Sequence, residues 1–109
     1  MPDPHKSMRA PWADIAPKLT AISDRILFDD IWKRPSLSPR DRSLLVLAMT
    51  AALGRMEEFR LHASAQDRTG VTDAELDELL FQIAAYCGAP AGNAAKRALL
   101  AVRTEQAET

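Results

Sequence analysis

The chain has 109 residues, 47% of them hydrophobic and 27% charged, which is the balance of one soluble globular domain. Lysine and arginine total 14 against 15 acidic residues, so a formal charge of -1 offers no net field to hold nucleic acid or an anionic lipid surface. The single cysteine, Cys87, excludes an intrachain disulfide, a Cys-x-x-Cys redox pair and a thiolate-rich zinc site.

The longest apolar stretch, Leu44 to Leu53, falls short of the roughly 18 residues a membrane span requires, and the first residues carry no apolar core of a secretion signal. A cytoplasmic protein is expected. No glycine-rich phosphate loop occurs, and His62 has no second histidine at ligand spacing, so neither a cofactor nor a metal is expected.

Residues 1–11 hold three of the seven prolines and read as a flexible arm ahead of one helical domain over 12–102, with a fraying tail over 103–109. From Trp12 to Trp32 the residues Ile15, Leu19, Ile22, Ile26 and Leu27 recur every three or four positions, the pattern of one helix face. Trp32 beside a proline-containing connector reads as a core anchor. Ser38-Pro39 with Asp41 predicts a second helix reaching about Leu53: a hydroxyl cap, a proline at the first helical position and an acid in the first turn. Its body is apolar almost all round and so needs cover on several sides, including from another chain.

Arg55 to Thr69 reads as a polar third helix closed by Gly70. Thr72-Asp73-Ala74-Glu75 is a capping box opening a fourth helix to Cys87, with Leu76, Leu79, Leu80, Ile83 and Cys87 on its apolar, buried face. After Gly88 a fifth helix is predicted from about Pro90 to Val102, its small face of Ala91, Ala94, Ala95 and Ala98 permitting close helix approach. The fold class is therefore all-α, an antiparallel arrangement of four or five helices.

Two constellations carry possible chemistry. Glu58 and His62 stand four residues apart and share a helical face, so the carboxylate can orient the imidazole for acid–base work, or the two can form an ordinary solvated pair. Lys33, Arg34, Arg40 and Arg42 flank the start of the second helix, where a small carboxylate would be welcome; alternatively Arg34 and Arg42 pair with Asp29, Asp30 or Asp41.

The run Ile31-Trp32-Lys33-Arg34-Pro35-Ser36-Leu37-Ser38-Pro39-Arg40-Asp41-Arg42-Ser43-Leu44-Leu45 is followed by Gly54-Arg55, Glu57-Glu58-Phe59-Arg60-Leu61-His62 and Gly70-Val71-Thr72. With Glu78-Leu79-Leu80, Ala85-Tyr86-Cys87-Gly88-Ala89-Pro90 and Asn93-Ala94, this order resembles the carboxymuconolactone decarboxylase family. The resemblance implies an all-helical, AhpD-like protomer assembled as a homo-oligomer, trimeric or hexameric. The thiol peroxidase branch of that family needs two cysteines where this chain has Arg55 and Glu58, so its chemistry is not expected here.

The other branch decarboxylates a small lactone acid without a cofactor. Carried onto this chain, the resemblance implies His62 as acid or base, Glu58 as its orienting or proton-sharing partner, and Arg40, Arg42 or Arg55 as holders of a substrate carboxylate or enolate. Gln82 stands where that branch commonly has a second histidine, and as a neutral amide it can bind substrate but not titrate. A lyase or proton-transfer enzyme acting on a small carboxylate or lactone is the expected function; the alternative is a catalytically silent oligomeric or small-molecule-binding protein of the same fold.

Overall fold

A computed structural model describes residues 16–108, so the expected arm over 1–11 and the start of the first predicted helix lie outside the described residues. Six α-helices occur among the described residues: α1 (Pro17–Ser23), α2 (Pro39–Leu53), α3 (Met56–Ser64), α4 (Gln66–Thr69), α5 (Asp73–Cys87) and α6 (Ala89–Glu108). A π-helical turn, Asp24–Phe28, follows α1, and a 3-10 turn, Ile31–Lys33, leads towards α2. No strand is present among them.

The predicted starts are in place. Ser38 accepts from the Asp41 amide at 3.0 Å, capping α2 with Pro39 at its first position. At α5 the capping box is complete: the Glu75 amide donates to Thr72 Oγ1 at 3.1 Å, and the Thr72 amide donates to Glu75 Oε1 at 2.9 Å. Gly88, at φ 95° and ψ 156°, takes a conformation closed to side-chain-bearing residues and by itself reverses the chain between α5 and α6.

α5 and α6 make the most extensive helix pairing, and their register is antiparallel: Gly92 lies against Ala84 near the turn, while Arg103 reaches Asp77 at 2.8 Å and the Asp73 carbonyl at 3.2 Å at the far end. A Cβ at Gly92 would stand 2.7 Å from Ala84 Cβ, so this position is where the two backbones approach most closely among the glycines. α3 also packs on α6, tied at its surface by Arg60 to Glu105 at 2.6 Å, and α2 lies against α3, α5 and α6. The core between them is Leu47, Phe59, Leu76, Ile83, Leu99 and Val102, with small Ala51, Ala63, Ala95 and Ala98 between the larger side chains.

Four expectations change. The predicted third helix breaks at Ala65, whose φ of -91° and ψ of 11° leave the α-helical track and divide it into α3 and α4. α6 continues to Glu108 instead of fraying after Val102, because Arg103 and Glu105 are anchored to neighbouring helices. Cys87 is exposed, not buried: it is the last residue of α5, beyond Leu76 and Ile83, and the chain turns away at Gly88 before anything covers it. The first helix is short and lacks any buried residue; Leu19 is 65% exposed, and Ile22, Ile26 and Leu27 are exposed as well. On α2 only Ser43, Leu47 and Ala51 are buried, whereas Leu45, Met49 and Leu53 face outward.

Candidate active site

His62 lies in the last turn of α3, half-buried, with Glu58 one turn before it and also half-buried. The ring does not stand alone. Trp32 stacks on it with centroids 5.9 Å apart and planes 19° from parallel, inside the range of offset aromatic pairs. Trp32 itself is only 8% exposed, so the core-anchor reading holds, and its outer face is the wall behind the histidine.

The indole comes from the 3-10 turn, which is closed by Lys33 N–H to the Asp30 carbonyl at 3.1 Å and Arg34 N–H to the Ile31 carbonyl at 3.2 Å. Arg42, in the first turns of α2, fastens that turn by donating from Nη2 to the Arg34 carbonyl at 3.2 Å. This replaces the expected pairing of Arg42 with an aspartate: a backbone carbonyl, one of the polar groups the helix ladder leaves to side chains, satisfies it. The Arg42 Nε is buried without a hydrogen-bond partner.

Arg40 is committed elsewhere. It binds Asp41 at 2.9 Å and also forms an ion pair with Glu75, whose other oxygen caps α5. Asp41 thus pairs with Arg40, not with Arg34 or Arg42. Arg55 is exposed at the start of α3, and its amide donates to the Thr50 carbonyl at 2.7 Å as the chain leaves α2. Gln82 is exposed on α5. The structure therefore brings the turn bearing Trp32 against His62 and Arg42 against the end of that turn, keeps Glu58 one helical turn before His62, ties Arg40 into the α2–α5 corner, and leaves Arg55 and Gln82 open to solvent. Trp32 is the member that sequence reasoning did not assign to the site; its place ahead of Arg34-Pro35 was the available signal. A separate open concavity, bordered by Ser64, Gln66, Arg68, Asp73 and Gln106, contains none of these residues.

The described residues thus form a helical unit in which a half-buried histidine lies against an aromatic wall. The carboxymuconolactone decarboxylase family model matches residues 17–101, and the chain belongs to that family. It is 44% identical over 71 residues to a 4-carboxymuconolactone decarboxylase of Acinetobacter baylyi, covering 65% of this chain and 53% of that protein. It is 37% identical over 60 residues to a nitrosuccinic acid decarboxylase of Metarhizium robertsii, covering 55% of this chain and 42% of that protein. The chain thus spans about half the length of the curated relatives it matches. Among the described residues, no helix is long and apolar enough to cross a membrane.

Proposed function

We propose that the chain is a decarboxylase of small carboxylic acids or lactone acids, with His62 as the group that moves the proton. The observation that carries the reading is the half-buried imidazole stacked on Trp32 beside Glu58, together with relatives whose names both specify loss of a carboxyl group from a small acid. In such a reaction the bond between carbon and the leaving carboxylate breaks, its electron pair passes to an adjoining acceptor such as a carbonyl, and CO₂ departs. The resulting carbanion equivalent takes a proton at carbon. His62 as imidazolium supplies that proton, and Glu58 orients the ring. Cationic donors near the acceptor oxygen stabilise the developing charge, a role open to Arg42 or Arg55. Arg40, engaged by Asp41 and Glu75, holds the scaffold in this scheme.

Turnover of carboxylated lactones and nitro- or keto-substituted diacids, followed by CO₂ release, tests the reading. His62→Ala is expected to lower kcat by at least 10²-fold, and Glu58→Gln by less. Equal rates in His62→Ala and wild type would remove His62 from the mechanism. Gln82 supports the silent-protein alternative, and turnover appearing only in Gln82→His would favour it.

The outward apolar residues of α1 and α2 support assembly into a homo-oligomer, trimer or hexamer, in which a second copy covers them. Light scattering after size-exclusion chromatography tests this; a monomer at micromolar concentration would refute it.

A further inference from the structure

We propose that Trp32 is a positioning residue, holding the His62 ring in the plane from which it transfers its proton. The inference rests on the reading of His62 as the proton-transfer group. A histidine in the last turn of a helix can swing about its side-chain bonds, and carbon protonation demands one orientation of the ring edge. A stack constrains the ring through its face and does not occupy the edge nitrogens, as a clamp made of hydrogen bonds would. An indole face also suits both states of the ring. It packs against neutral imidazole as an aromatic pair and attracts imidazolium electrostatically at centroid separations up to about 6 Å, so the observed 5.9 Å serves before and after proton transfer.

The wall behind His62 is itself fixed from three sides. Trp32 is buried, its 3-10 turn is closed by two backbone hydrogen bonds, and Arg42 on α2 binds the carbonyl of Arg34 at the end of that turn. The histidine on α3 and the indole thirty residues earlier are thus brought together by a turn whose position is set by α2. The chain places an aromatic ring, a closed turn and a latch from a neighbouring helix behind one imidazole, an arrangement that restricts rotation of the ring as well as filling space.

The test compares Trp32→Phe, which keeps a ring, with Trp32→Leu, which fills the site without a π face, using the intact chain. In wild type the His62 ring-proton resonances, identified by their loss in His62→Gln, are expected upfield of the positions of a free imidazole in water because of the indole ring current. Trp32→Leu is expected to abolish that shift, to lower kcat at least tenfold and to leave KM within about threefold, with helicity by circular dichroism unchanged. Trp32→Phe is expected to recover kcat to within about threefold of wild type. Wild-type His62 resonances at unperturbed positions would overturn the proposal even if Trp32→Leu fails to fold. So would a folded Trp32→Leu with wild-type kcat, or a Trp32→Phe as impaired as the leucine variant. Absence of any wild-type turnover would sink the decarboxylase reading and this role with it, whereas turnover that survives Trp32→Leu sinks this role alone.

Discussion

Substituting Gly92 by alanine sets two effects of known sign against each other. Within a helix the change gains up to about 1 kcal/mol, because glycine is the poorer helix former. Against this, the new Cβ would meet Ala84 Cβ at 2.7 Å, Ala84 Cα at 3.1 Å and Ala84 N at 3.4 Å. None of these atoms can rotate away, since two belong to the backbone and the third is fixed to it. Restoring ordinary carbon contacts of about 3.5–4.0 Å requires α5 and α6 to part by roughly 1 Å, and a gap of that size forfeits a quarter to a half of the dispersion gained by their facing side chains. Ile83 and Ala95, both fully packed on these helices, lie close to the displaced point. Overpacking of this kind costs about 1–3 kcal/mol, so a net loss of about 1–2 kcal/mol is expected, or a Tm lower by roughly 4–10 °C for a domain of this size. Thermal unfolding by circular dichroism at one protein concentration measures it. The double variant with Ala84→Gly should recover part of the loss, a coupling that distant sites would not show. An unchanged or higher Tm in Gly92→Ala would refute the close approach of the two helices.

Thr72→Ala removes one half of the α5 capping box and is expected to cost about 1 kcal/mol by denaturant unfolding, with unchanged m-value. Leu47→Ala, at a fully buried point of α2, should cost about 2–5 kcal/mol in the same assay. Peroxide consumption with a dithiol reductant should stay at background, because Cys87 has no second thiol in the chain, and Cys87→Ser should leave whatever turnover the chain performs unaltered.

Much of the helical order is legible in the residues themselves. Ser38-Pro39 and Thr72 through Glu75 carry their caps locally, and Gly54, Gly70 and Gly88 end helices at positive φ, as their places at the ends of the predicted helices suggest. What escaped depends on distant partners. No glycine or proline marks the break at Ala65, and the length of α6 is decided by Arg60, Asp73 and Asp77 on other helices. Cys87 satisfies the apolar periodicity of α5, yet periodicity does not show where a neighbouring helix stops covering a face. The Glu58–His62 spacing was visible at once, whereas the indole behind His62 required the fold of the connector, since nothing in the local sequence pairs residues thirty positions apart.

The single-residue turn at Gly88 bears on the order in which the molecule folds. Contacts between α5 and α6 include Ala84 with Gly92, four residues to either side of Gly88, so this pair can zip outward from the turn with little loop-closure cost. Joining Trp32 to His62 closes a far longer loop, and it also needs α2 seated and the 3-10 turn formed. The helical hairpin is therefore the natural early nucleus, and the contact between Trp32 and His62 is among the last parts to be completed. Kinetically, substitutions such as Gly92→Ala should act mainly on the folding rate, and those in the Trp32 turn mainly on the rate of unfolding.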